Sequence, residues 1–110
     1  MVGSFWYNLP MVTKDQILVF LNENRALLQN DLGVKSVGIF GSYARDEQTN
    51  VSDVDLIVEL YPETMHIYEK KESLRKLLND RFNIEVDVLN KKFIKPYVKD
   101  FILKDSVYAY

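Results

Sequence analysis

Apolar residues follow two rhythms along this chain, and the changes between them mark out its elements. Ile17, Phe20, Leu21, Leu27 and Leu28, with Asn24 on the same stripe, fall at helical spacing. Thr13-Lys14-Asp15-Gln16 stands in front of them as a capping box, Thr13 as N-cap and Gln16 reaching back, and the helix is expected to stop near Gly33. The rhythm then shortens. Val34–Phe40 and Val54–Leu60 are compact β-branched and aliphatic runs, and Ile84-Glu85-Val86-Asp87-Val88-Leu89 alternates strictly. These predict three strands, with Pro62 marking the exit from the second. Between the second and third, a helix is predicted over about 63–81, with Ile67, Leu74, Leu77, Leu78 and Phe82 facing the core. A last helix begins near Lys95, where Pro96 suits a first turn. Strand, helix and strand in succession imply an α+β (α/β two-layer) fold, a small mixed β-sheet with helices packed against it.

The second strand has two faces of different character. Val54, Leu56, Val58 and Leu60 make one of them apolar throughout. Asp53 and Asp55 share the other, with Cα atoms roughly 6.6 Å apart, since strand side chains alternate. Two carboxylates so placed can converge on one or two metal ions. Mg²⁺ is commonly held in this way, by one or two carboxylates plus substrate phosphate oxygens. An Asp-x-Asp pair more often caps a helix or lines a loop. Here it runs into a β-branched strand, and Ser52 is the better turn residue.

Gly41-Ser42, directly after the first strand, is where a backbone can approach a phosphate closely and a hydroxyl can donate to it. By itself the pair is an ordinary turn. It lacks the glycine and lysine spacing of a P-loop and of a dinucleotide fingerprint, so both those folds are disfavoured. Asp87 on the third strand is the candidate third acid, in phase with Asp53 and Asp55 if the strands pair. Glu85 on the same predicted face is its rival, and a solvated strand face is the bland reading of either.

Composition adds limits rather than direction. The 110 residues are 47% hydrophobic and 27% charged, which suits a single soluble domain over residues 1–110 with one core. A net charge of −2 offers no electrostatic case for nucleic-acid binding. No cysteine is present, so thiolate metal sites and disulfides are excluded. No apolar run approaches a membrane span, the first residues do not read as a signal peptide, and a cytoplasmic location is the expectation.

Other features have bland readings. His66 is the only histidine and lacks partners at ligand spacing. Lys70, Lys71, Arg75, Lys76 and Arg81 give the second helix a basic side, usually a solvated one. Ile94, Tyr97, Val98, Phe101, Tyr108 and Tyr110 make the C-terminal segment aromatic, with core packing expected first and a partner interface second. Trp6 and Tyr7 fold back on the sheet or belong to a leader, residues 1–12, that is loosely ordered.

Gly41-Ser42-Tyr43-Ala44-Arg45, ten residues from Ser42 to Asp53-Val54-Asp55, then Asp87 on a later strand, closely resembles the DNA polymerase β-like nucleotidyltransferase superfamily. The short length is similar to that of its minimal nucleotidyltransferase (MNT) domains. The resemblance runs from about Thr13 to Tyr110, and only the compound motif is specific. It implies the nucleotidyltransferase fold and transfer of a nucleotide from ATP, with Mg²⁺ (two ions), to an acceptor hydroxyl. By this resemblance Asp53 and Asp55 hold both metals and the nucleotide phosphates. Asp87 completes the second metal site and helps to activate the acceptor oxygen. Gly41 and Ser42 hold the triphosphate, and Arg45 either stabilises phosphate charge or pairs with a surface acid. One departure stands out, because the family usually has Gly where this chain has Asp46.

Small stand-alone MNT proteins resemble antitoxins paired with HEPN-domain toxins, commonly RNases. The resemblance implies transfer of AMP to a tyrosine of that partner, in a hetero-oligomer with no membrane and no direct nucleic-acid contact. Two alternatives stand beside this reading. One is a binding module that neutralises its partner by occlusion. The weaker one is nucleotidyl transfer to a small molecule, which generally needs an added substrate domain.

Overall fold

The computed structural model describes residues 11–110. The sequence expectations for Trp6, Tyr7 and most of the supposed leader therefore lie outside the described residues. Val12, at the end of that stretch, packs against the core. The first helix opens on the expected capping box. Thr13 Oγ1 accepts from the Gln16 N–H at 3.2 Å, and Gln16 Oε1 accepts from the Thr13 N–H at 3.0 Å. It divides into α1 (Lys14–Glu23) and α2 (Arg25–Asp31). Asn24 is the cause. Its side chain donates to the Phe20 carbonyl at 2.8 Å, the same acceptor that its own backbone N–H uses at 3.1 Å. Ile17, Leu21 and Leu28 still reach full burial on one stripe.

β1 (Val34–Phe40) and β2 (Val54–Leu60) match the predicted limits and pair antiparallel. Between them lie a four-residue helix, α3 (Gly41–Ala44), and a turn that Thr49 and Ser52 close by exchanging hydrogen bonds. The next helix starts later than expected, as α4 (Ile67–Phe82). A turn first brings the Thr64 N–H to the Tyr61 carbonyl, and His66 then takes φ +56°, so residues 63–66 cannot be helical. Leu74 and Leu78 are its buried residues, with Leu77 and Phe82 packed at the margin. Asn83 ends it in the left-handed region, with φ +55°.

Asn79 then donates to the Ile84 carbonyl at 2.8 Å and holds the turn open, so β3 spans Val86–Asn90 rather than 84–89. A single 3₁₀ turn (Lys91–Phe93) leads to α5 (Pro96–Asp105), which opens on Pro96 as expected, and to the short β4 (Val107–Tyr108).

The four strands form one mixed sheet in the order β3-β2-β1-β4. β2 and β3 run parallel, joined by α4, and the other pairs are antiparallel. Val37, Ile39, Val54, Leu56, Val58, Val86 and Val88 form the sheet's contribution to the core, against Ile17, Leu21, Leu28, Leu74 and Leu78 of the helices. The opposite face carries Asp55, Ile57 and Glu59 from β2 and Asp87 from β3, and α5 packs against β1. Among the described residues no helix is long and apolar enough to cross a membrane.

Candidate active site

The site is built where β1 ends. Phe40 is the register partner of Asp55, so the chain leaves β1 level with that carboxylate and turns at once into α3. Gly41 makes the turn with φ +73°, and a Cβ there would collide with the Asp55 carboxylate. Two requirements therefore coincide at this position: a positive φ, and room for the acid beneath the backbone. The sequence suggested that Gly41 admits a phosphate. The structure shows that it first admits Asp55.

Asp55 pairs in register with Asp87 across the parallel β2–β3 ladder, and Asp53 lies two residues before it. Asp53 and Asp87 are exposed and Asp55 is half-buried. Burial pushes the Asp55 carboxyl above its ordinary value, the nearby charges of Asp87 and then Asp53 push it further, and Arg45 opposes them. Asp55 thus senses the charge of both other acids. Glu85 does not take part in this pairing. It precedes β3 and lines a groove with Glu72, Arg75, Lys76 and Asn79 of α4.

Among the described residues no three acidic or histidine side chains are grouped so that together they could hold a metal ion. The donor set is nevertheless all oxygen, partly open and electrostatically strained, with a backbone glycine held against one carboxylate. Those properties fit a hard divalent cation that keeps positions for water and substrate phosphate.

Ser42 is half-buried in α3, and its carbonyl accepts from the Glu47 N–H at 2.9 Å. Arg45 Nε donates to Glu47 Oε1 at 2.6 Å. That hydrogen bond, ahead of the charges of Glu47, Asp105 and Asp55, raises the guanidinium's pKa. Arg45 therefore pairs with a surface acid while its charge still reaches the site.

Asp46 occupies the place where the superfamily usually has Gly, and it adopts φ +56°. Its N–H donates to the Tyr43 carbonyl at 3.2 Å, as a residue just past a helix end does. Its exposed carboxylate pairs with Lys14 Nζ of α1 at 3.2 Å. The extra negative charge is thus tied to α1. Beside it, Gln48 Nε2 donates to the Val12 carbonyl at 3.3 Å. Neither tether is visible in the sequence, because each joins positions more than thirty residues apart through single long side chains.

Comparison with known proteins shows the family and the fold. Residues 19–109 match the nucleotidyltransferase domain family. A Methanocaldococcus jannaschii protein, provisionally assigned as a protein adenylyltransferase, is 41% identical over 102 residues, covering 90% of this chain and all of the relative. The protein adenylyltransferase MntA of Thermococcus cleftensis is 31% identical over 103 residues, covering 92% of this chain and all of the relative. Among solved structures, a chain provisionally assigned as a minimal nucleotidyltransferase superposes with a TM-score of 0.70 at 23% identity, over 87% of this chain and 95% of its own. The Shewanella oneidensis complex of a tri-AMPylated HEPN toxin with its MNT antitoxin gives a TM-score of 0.54 at 19% identity, over 83% of this chain and 71% of that one. These structures share the fold. The chain belongs to the nucleotidyltransferase domain family and is an enzyme of that class.

Proposed function

We propose that this protein is a divalent-metal-dependent protein adenylyltransferase that transfers AMP from ATP to a tyrosine of a HEPN-domain partner and so neutralises it. The observation that carries the chemistry is the register pairing of Asp55 with Asp87, under the backbone of Gly41. The names of the adenylyltransferase relatives and the MNT–HEPN neighbour support the choice of acceptor.

In this reading Asp53 and Asp55 hold Mg²⁺ and, through it, the triphosphate, while Asp87 completes a second metal position beside the acceptor. The bound ions supply charge neutralisation for an in-line phosphoryl displacement. Gly41 and Ser42 offer backbone N–H groups and a hydroxyl to the phosphates. The tyrosine oxygen attacks the α-phosphorus, the bond to diphosphate breaks, and the phenolic proton passes towards the Asp87 carboxylate. Diphosphate leaves, and AMP remains on the tyrosine.

The test is incubation of the protein with its cognate HEPN-domain partner, α-labelled ATP and Mg²⁺. Label appears on the partner and is lost in Asp53→Ala and Asp55→Ala. Neutralisation that survives both substitutions with no label transferred would sink this reading and leave binding alone as the mechanism. Label on a small molecule, with the partner untouched, would move the acceptor instead.

A further inference from the structure

Core packing is the first expectation for the aromatic residues of the C-terminal segment, but Tyr97 and Phe101 do not pack there, and neither does Phe93 just before them. Phe93, Tyr97 and Phe101 are 71%, 73% and 75% exposed. Tyr97 and Phe101, four residues apart, share one side of α5, and Phe93 stands in the 3₁₀ turn that leads into it. Val98, Ile102 and Leu103, half-buried, make up the side of α5 that packs inward. α5 is therefore apolar on two sides, and only one of them is covered. Lone exposed apolar residues are normal, but a row of three large aromatics is a surface built for contact.

Position and charge say what the contact is with. Leu89, 37% exposed, follows Asp87 by two residues on the same face of β3, and the chain runs on from there into the 3₁₀ turn that carries Phe93. At its other end α5 packs against α3, the helix of the Gly41-Ser42 turn. A body seated on the row lies beside the acids. Lys92, whose Nζ stands 5.8 Å from the Phe93 ring centre, and Lys104 bracket the row. Residues 91–105 hold five lysines and two aspartates, a net +3, in a chain of net −2, so the remainder carries −5. A second copy would pair rows antiparallel, bringing Lys92 of one against Lys104 of the other. Charge therefore disfavours self-association. Asp100 beside Tyr97 and Phe101, and the open carboxylates near Leu89, disfavour a polyanionic strand.

We infer that the Phe93–Tyr97–Phe101 row is the docking surface for the acceptor protein, and that it receives an apolar helix face flanked by carboxylates. Anchors at i and i+4, as Tyr97 and Phe101 are, suit a helix seated against a groove or a second helix. Lys92 and Lys104 set the register of that contact, and the acceptor hydroxyl is thereby presented at Asp55 and Asp87. This rests on the proposed protein acceptor, and its test separates the two ideas.

The measurement is the affinity of the full chain for its purified HEPN-domain partner, compared with Tyr97→Ser/Phe101→Ser and with Lys104→Glu. All three are exposed, and thermal melts check that the fold persists. The double variant weakens binding at least tenfold and raises the KM for the partner, while ATP binding is retained; Lys104→Glu weakens binding less and flattens its salt dependence. Unchanged affinity in the double variant overturns the docking surface even if label transfer is intact. If the wild type binds its partner but transfers no label, the proposed activity fails, and the loss of affinity in the variants still decides the surface. No binding by the wild type overturns it. So does a wild-type dimer in sedimentation that the double variant abolishes, or a single-stranded RNA oligonucleotide bound by the wild type and released by the double variant.

Discussion

Two sides of one strand live under opposite demands. On one side of β2, Val54, Leu56 and Val58 are 0%, 0% and 1% exposed and hold the helices to the sheet. On the other, Asp55 faces Asp87 and sits under Gly41, half-buried and forced towards its protonated form. The first side stabilises the fold. The second is a local cost, which the cations of the proposed reaction would offset. The contrast shows why this short sequence was readable: side chains alternate along the strand, so Asp55 falls opposite Val54 and Leu56, although Ile57, on the side of Asp55, is also fully buried.

The largest effect on stability comes from breaking the core side. Leu56→Ala removes a fully buried side chain from the middle of the sheet and is expected to cost about 2–5 kcal/mol. Chemical denaturation reads this as a lower midpoint, and at the upper end the domain is largely unfolded at 37 °C. A loss below about 1 kcal/mol would mean that the core relaxes around the gap and that β2 is not its centre.

Gly41→Ala strikes the seam between the sides. The φ of +73° and the collision with Asp55 both oppose a Cβ, and a strained backbone position costs on the order of 1–3 kcal/mol. Unlike Leu56→Ala, this change also displaces the acid, so transfer activity falls out of proportion to the lowered melting temperature. Activity that merely tracks stability would separate Gly41 from the site.

Asp55→Asn splits the comparison cleanly, because activity and stability move in opposite directions. Several kcal/mol of charge stabilisation depend on this group, so transfer falls by about 10²–10⁴-fold. The carboxyl's pKa in the fold lies above its ordinary 3.8. The native state therefore holds the proton more tightly than the unfolded chain does. That contribution favours the fold below the unfolded value and is lost as pH rises through the folded one. At neutral pH the ionised group is a net cost, and Asp55→Asn melts higher, by at most about 3 °C since the group is only half-buried. The advantage disappears in acid. Mg²⁺ raises the melting temperature of the wild type and does so less for the variant. A variant that melts lower at pH 7 would show that Asp55 makes stabilising contacts which outweigh its burial and repulsion.

What the sequence disclosed divides along the same line. Compact β-branched and aliphatic runs placed β1 and β2 to the residue, and local chemistry placed the Thr13 cap and Pro96. Asp87 was legible because it is in phase with Val86 and Val88, yet its preference over Glu85 depends on where β3 begins. That is set by Asn79 reaching the Ile84 carbonyl across a turn. The late start of α4 was hidden for a similar reason, since a turn from Tyr61 to Thr64 and the left-handed backbone of His66 precede it and neither carries a clear signal in the sequence. The exposure of Tyr97 and Phe101 contradicts the first expectation, core packing, and leaves the second, a partner interface. Apolar periodicity reports that a helix has a sticky side, and α5 has two, of which only contacts in space reveal the covered one.

Asp46→Gly carries the smallest expected effect and is the most discriminating about the site. With φ +56°, Asp46 pays a left-handed strain that Gly does not, while its salt bridge to Lys14 is exposed. Exposed pairs contribute about 0–1 kcal/mol, and relief of the backbone strain is of similar size. Stability should therefore change by less than about 1 kcal/mol, in either direction. Activity should also hold within about threefold, because the carboxylate is tied to α1 rather than turned towards the phosphates. Lys14→Ala supplies the contrast. It frees Asp46 to swing and should raise the KM for ATP in low salt, and pairing it with Asp46→Gly should abolish that rise. If Asp46→Gly alone lowers the KM for ATP by tenfold, the carboxylate opposes the nucleotide even from its place beside Lys14.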